Sequence, residues 1–183
     1  MLVILTGPTG SGKTSVALAT QHRHGWNLIK TLTTRPPRPC STPDTKEHVT
    51  RAAMAKLLSD PAQFREFRYE GHEYATPLLE TQSAARSLEH VSIIDWVHPH
   101  PEDLTFLGEH VLAVVLLPTP TVLERRLHKA NRRDRITRAL TERQQIVSSL
   151  DSYRPPWIVY EGDATVEQLA EFLNALVRGH PST

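Results

Sequence analysis

Gly7-Pro8-Thr9-Gly10-Ser11-Gly12-Lys13-Thr14 is a phosphate-binding pattern, Gly-x-x-x-x-Gly-Lys-Thr, that opens directly after the apolar run Leu2-Val3-Ile4-Leu5. Glycines let the main chain curl so that successive N–H groups face one concavity. The positive end of a following helix then adds its own attraction for an anion. In this pattern Lys13 reaches the β and γ phosphates of a nucleoside triphosphate, and the Thr14 hydroxyl is a ligand for Mg²⁺. The predicted ATP-binding set is Gly7, Thr9, Gly10, Ser11, Gly12, Lys13, Thr14 and Ser15. A GTPase would also need a base-reading Asn-Lys-x-Asp segment, which does not occur.

A second anion site is indicated by Thr33-Thr34-Arg35-Pro36-Pro37-Arg38-Pro39. Guanidinium forks match phosphate oxygens in pairs, and the prolines stiffen the loop that carries them. Read alone, this could equally be a solvated surface loop. Its position, one short strand beyond the glycine-loop helix, would set it opposite the first site. Asp95 ends the run Val91 to Ile94, where a parallel strand delivers a side chain to a ligand crevice; as a loop residue it could instead be a cap. Arg125, Arg126, Arg132, Arg133, Arg135 and Arg138 form the densest basic segment. Arginines closing over a transferring phosphoryl group neutralise its equatorial oxygens. Arg126, Arg138 and then Arg132 are the candidates; the others read as solvated helix faces.

These groups need a scaffold, and the apolar pattern supplies one. Leu2–Leu5, Val91–Ile94, Val111–Leu117 and Trp157–Tyr160 are short continuous apolar runs, as expected of strands buried on both faces. Helical spacing follows the glycine loop to about Gly25. It recurs at Val122, Leu123 and Leu127 after Thr119-Pro120, and again at Ile136, Leu140, Ile146 and Val147, where the spacing leaves room for an interruption. It returns from Val166 to Val177, with Thr165 and Gln168 as a capping box and Gly179 as a stop. The expected architecture is therefore α/β: a three-layer P-loop fold with a mainly parallel sheet. Residues 1–30 and 81–183 form its core. Residues 31–80 break the rhythm and read as an insertion with its own small core, including a helical piece from Arg51 to Leu58 and a hairpin around Gly71.

Composition narrows the class. In 183 residues, 39% hydrophobic and 22% charged, there is room for one domain with a small insertion. Lys and Arg number 21 against 20 Asp and Glu. That balance argues against a nucleic-acid coat or a polybasic membrane binder. A lone cysteine, Cys40, asks for no oxidising compartment. The first apolar run is too short for a signal or membrane segment. A soluble cytoplasmic protein is expected, acting on small molecules, with neither nucleic acid nor membrane as a partner, as a monomer or homodimer. His22-x-His24 and His98-Pro-His100 lack a third clear ligand, so no structural zinc is expected.

With these residues in hand, the chain resembles the guanylate kinase family of nucleoside monophosphate kinases over most of its length. The resemblance rests on the glycine loop, Thr34-Arg35-x-x-Arg38, Glu66 followed by Gly71-His72-Glu73-Tyr74-Ala75-Thr76, Asp95, and Leu123-Glu124-Arg125-Arg126-Leu127. It implies a P-loop core, a nucleotide-binding insertion over 31–80 and a short lid at about 128–138. The implied activity moves the γ-phosphoryl group of ATP, with Mg²⁺, to GMP, dGMP or a related nucleotide. By the same resemblance Arg35, Arg38 and Tyr74 hold the acceptor phosphate, and Glu66, Thr31 and Thr76 face its base. Asp95 serves the acceptor side and Mg²⁺. A carboxylate at Glu66 would suit guanine, whose N1–H and N2 amino group are adjacent donors; otherwise Glu66 is an ordinary surface charge.

Some positions depart from the family pattern. The tyrosine of its Gly-x-x-Tyr-x-Phe stretch is missing from Pro39 to Val49, where Lys46 could supply charge instead. Ala75 replaces a glycine, Val97 an acidic residue, and Tyr160-Glu161 stands where an asparagine is common. Two alternatives follow: a kinase of another phosphate-bearing acceptor such as ribose bisphosphonate, or a non-catalytic interaction module. The opening also resembles tRNA isopentenyltransferases, but their Asp-Ser-x-Gln segment is replaced here by Ile29 to Arg35.

Overall fold

The computed structural model describes residues 1–37, 44–96, 110–150 and 157–180. Arg38, Cys40, Val97, His98 and His100 lie outside the described residues. Five strands form a parallel sheet: β1 (Leu2–Thr6), β2 (Asn27–Ile29), β7 (Ser92–Asp95), β8 (Val111–Leu117) and β9 (Trp157–Glu161), in the order β2-β7-β1-β8-β9. The four continuous apolar runs are thus all strands. For β1, β7 and β8 the lack of alternation has a direct cause, because both faces of the sheet are covered there; the edge strand β9 is only partly buried, with Val159 37% exposed. Val3 and Leu5 pack with Leu112, Val114 and Leu116 against Val16, Ala17, Leu169 and Leu173. Leu2 and Ile4 pack the other way, with Ala113, Ile94, Ala84 and Ala85.

The first cover is α1 (Lys13–His24) beside α6 (Val166–Gly179). The second is α3 (Leu78–Arg86), with α4 (Pro120–Lys129) and α5 (Ile136–Ser149) continuing the layer through Ile146, Leu123, Leu127 and Ala139. Local signals set the helix starts. The Thr165 hydroxyl accepts from the Gln168 N–H while Gln168 accepts from the Thr165 N–H. Thr119 accepts from the Val122 N–H with Pro120 in the first turn. Such caps stabilise a helix by about 1 kcal/mol each. α5 runs unbroken where an interruption was expected, and Gly179 is its helix's last residue, with no left-handed stop after it.

A second, four-stranded sheet is made of β3 (Thr31–Thr33), β4 (Lys46–His48), β5 (Phe64–Tyr69) and β6 (His72–Pro77), in the order β4-β3-β6-β5. Helix α2 (Arg51–Leu57) carries the buried Met54 against β6. The expected hairpin is present. Its loop is Glu70-Gly71, with φ of 54° and 73°, the paired positive values of a type I′ turn. Lys46–His48 pairs in parallel with β3 although its sequence, Lys-Glu-His, has no apolar pattern. Helix α3 begins at Leu78, so the expected boundary at residue 80 cuts a helix.

Candidate active site

The glycine loop joins the carboxyl end of β1, the central strand, to α1. Gly7 has φ 142°, and a Cβ there would stand 2.3 Å from the Leu116 carbonyl oxygen on β8; the loop lies that close to the sheet because this residue has no side chain. Gly12 caps α1 at φ 99° and turns the chain so that the first helical N–H groups face the cavity. Lys13 Nζ donates to the carbonyls of Gly7 at 2.7 Å and Pro8 at 3.1 Å, so the ammonium folds back over its own loop.

Above the loop lies a cavity of about 870 Å³. Gly7, Thr9, Gly10, Gly12, Lys13, Thr14 and Ser15 line one wall. Ser11 is buried behind them, its carbonyl held by Arg126 Nη1 at 2.9 Å. Arg35, Lys46 and Tyr74 line the other wall, and Asp95 closes the floor. Lys13 from the glycine loop and Arg35 and Lys46 from the second sheet's side thus face one half-open space.

Asp95 is the electrostatic centre. It is 3% exposed, and its Oδ2 accepts from the hydroxyls of Thr14 and Thr45, each at 3.0 Å. Lys46 Nζ lies 3.9 Å from Oδ2 and donates to the Asp95 carbonyl. Burial raises the carboxyl pKa, but Lys46, Lys13 and the two hydroxyls outweigh it and hold the group below its ordinary value. Burial lowers the Lys46 pKa, against the attraction of Asp95. Asp95 Oδ1 is buried with no partner among the described residues. A carboxylate oxygen and a hydroxyl are the hard ligands that Mg²⁺ prefers, so Thr14 and Asp95 fit that ion.

Arg35 Nη2 donates to Asp44 at 2.8 Å, while its Nε is buried with no partner among the described residues. Tyr74 is buried, stacked on Phe67 with ring centroids 4.8 Å apart. Thr31 and Thr76 are 1% and 0% exposed. The hydroxyl of each lacks a partner among the described residues.

Glu66 is not among the residues that line the cavity; its side chain is 41% exposed and pairs with Arg68 at 3.3 Å. The hairpin register sets Glu66 across from Ala75, and Phe67 across from Tyr74. Strand residues alternate between faces, so a one-residue difference reverses the side chain.

Arg126 and Arg132 line the cavity together with Arg125 and Arg135, but Arg138 does not. Arg126 is a fixed brace, donating to Ser11 and to the Ala164 carbonyl at 2.8 Å. Arg138 holds Glu142 Oε1 at 2.7 Å and Glu70, and its guanidinium lies 4.3 Å from the centre of the Tyr69 ring. Glu142, absent from the sequence-based site, is 6% exposed. Its carboxylate accepts from the Thr9 N–H at 2.7 Å and from the Tyr69 hydroxyl. Its i to i+4 spacing from Arg138 was readable; its partners across the cavity were not. Thr45 was likewise hidden, in a polar run without periodicity.

Burial opposes ionisation of Glu142, but Tyr69, Arg138 and the Thr9 N–H outweigh it and bring the pKa from 4.5 down to about 2. Burial and the neighbouring carboxylate push Tyr69 up to about 12. A lowered carboxyl pKa contributes stability that is complete above the unfolded value and lost as pH falls through the folded one. The window here runs from about 4.5 to about 2. Urea titrations across it should show Glu142→Gln losing less stability on acidification than the parent; equal losses would detach Glu142 from acid unfolding.

No protein-family model matches the chain. It is 37% identical to a guanylate kinase of Frankia casuarinae over 89 residues, 45% of this chain and 48% of that one. It is 31% identical to the guanylate kinase of Aromatoleum aromaticum over 129 residues, 69% of this chain and 63% of the relative. The matches thus span about half to three-fifths of these relatives' own length. The crystal structure of a guanylate kinase from Anaplasma phagocytophilum superposes with a TM-score of 0.67 at 18% identity, covering 100% of this chain and 86% of the other. The fold is therefore shared, and the likeness drawn from the motifs is matched in sequence. Among the described residues, no helix is long and apolar enough to cross a membrane.

Proposed function

We propose that this chain, similar to guanylate kinases in sequence and fold, is an ATP-dependent nucleoside monophosphate kinase. GMP or dGMP is the leading acceptor. The observation that carries the reading is the single cavity lined by Lys13 and Thr14 on one side and by Arg35, Lys46 and Tyr74 on the other. The loop N–H groups and Lys13 bind the donor phosphates. Arg35 and Tyr74 place the acceptor phosphate, with Lys46 standing where the family has a tyrosine; Arg38 belongs to the same proposal by its motif.

Thr14 and Asp95 would hold Mg²⁺, which neutralises charge on the donor phosphates when bound. Asp95 stays ionised because Lys46 and two hydroxyls stabilise its charge, and it accepts rather than donates at the acceptor side. Lys13, Arg126 and Arg132 offer positive charge to the transferring group, and Arg138 positions the segment 128–138 that serves as a lid over the insertion 31–80. Transfer needs positioning and electrostatics and no covalent intermediate. Closing of the insertion and lid over the substrates would also keep water from the γ phosphate. Cytoplasmic location and a monomeric or homodimeric state complete the proposal.

A coupled assay across the common monophosphates with Mg-ATP tests it. GMP or dGMP should be phosphorylated to the diphosphate with at least about tenfold preference over AMP, a margin that hydrogen-bond selection readily reaches. A folded protein that binds ATP and phosphorylates no monophosphate would reject it.

A further inference from the structure

The register of the second sheet brings together a row of side chains that the motifs do not reveal. Lys46 is the β4 partner of Thr31. Leu32 pairs with Ala75 and Thr33 with Tyr74, so the same antiparallel register sets Thr31 across from Thr76. Thr76 is the partner of Arg65 on β5. Partners in register share a face. By alternation along β5 and β6 the row Lys46–Thr31–Thr76–Arg65 lies on the same sheet face as Tyr74 and Tyr69; of the row, Lys46 itself lines the cavity, and the others extend the face beyond it. Neighbouring strands are about 4.8 Å apart, so the row spans about 14 Å between its outer Cα atoms. Cations stand at both ends. Between them are two buried hydroxyls with no partner among the described residues, groups whose burial is unfavourable until something bonds to them.

We propose that Arg65, and not Glu66, is the specificity-determining residue at the far end of the acceptor, and that it selects a substrate presenting electron-rich acceptor atoms there. The inference rests on the kinase reading and deepens it. An arginine fork donates in parallel to two acceptors. Guanine offers such a pair in O6 and N7, whereas the corresponding adenine edge places an amino donor beside N7. Guanine would then be read through its acceptor edge, with Thr31 and Thr76 bonding to the same molecule. A second phosphate on a ribose bisphosphate would meet the fork with the same chemistry.

The test compares Arg65→Ala with Glu66→Ala, both at exposed positions on β5, against GMP, 7-deaza-GMP, AMP and ribose 1,5-bisphosphate. Arg65→Ala should raise the KM of the preferred acceptor about tenfold or more, with the KM for ATP unchanged. Glu66→Ala should stay within about twofold of the parent. If GMP is preferred, the 7-deaza analogue should lose most of its kcat/KM in the parent and little further in Arg65→Ala. If the bisphosphate is preferred with the same dependence on Arg65, the fork reads an anion and the assignment stands. A KM effect confined to Glu66→Ala would overturn the assignment while leaving the kinase reading intact. A parent protein that phosphorylates none of the four fails at the kinase reading and takes this inference with it.

Discussion

Replacing Lys13 by alanine should abolish the heat of Mg-ATP binding and lower kcat/KM by at least about a hundredfold, the scale set by removing one preorganised charge-stabilising donor. The ammonium donates to acceptors of its own loop, the carbonyls of Gly7 and Pro8 and, at 3.4 Å, the Ser11 hydroxyl. When triphosphate enters, these contacts exchange for phosphate oxygens, and in the variant nothing replaces them. The loop's shape comes instead from Gly7 against Leu116, Gly12 at the helix start, and the Arg126 brace on Ser11. The thermal midpoint should therefore move little, by no more than a few degrees. Calorimetric titration of the folded variant is decisive, and unchanged ATP heat would remove the glycine loop from the proposed reaction.

Asp95→Asn should be damaging in two separable ways. The substitution removes a charge that Lys46, itself buried, depends upon. Breaking one partner of a buried pair typically costs about 3–5 kcal/mol, so a clear fall in the urea midpoint is expected. On the proposed reading activity should fall at least about a hundredfold as well, since the carboxylate would be one of two oxygen ligands for Mg²⁺, and it accepts from the Thr14 hydroxyl. A double variant, Asp95→Asn with Lys46→Met, separates the two losses. Removing the stranded ammonium should restore much of the stability and none of the activity. Recovery of turnover in the double variant would mean that Asp95 serves the fold alone.

The parallel sheet was legible because two-sided burial writes itself into sequence as continuous apolar runs, and Leu2–Leu5 and Val111–Leu117 carry that signature without interruption. The glycine loop was legible because its geometry admits few residue types. The second sheet was harder. Its buried positions include Thr31, Thr33, Thr45, Lys46 and Thr76, polar side chains that give no hydrophobic period. Lys46 in particular reads as surface until Asp95, 49 residues away in sequence, is seen beside it. Glu66 shows the sharper difficulty. Residue identity located the strand, but only the two-residue hairpin loop fixes which alternate residues share the face of Tyr74, and that parity puts Arg65, not Glu66, on it. Glu142 was missed because its partners, Thr9 and Tyr69, converge on it from distant parts of the chain.

The bridge from the hairpin tip to α5 also constrains how the two substrates can influence one another. Tyr69 and Glu70 hold Arg138, Arg135 and Glu142, and Glu142 in turn holds the main chain of Thr9. The hairpin tip of the second sheet and the glycine loop are therefore joined through Glu142. Two ligands that each shift this shared assembly must have reciprocal effects on equilibrium affinity: by whatever factor the acceptor tightens ATP, ATP tightens the acceptor equally. Cutting the tether at Glu142 would weaken that heterotropic term while leaving each ligand its own contacts.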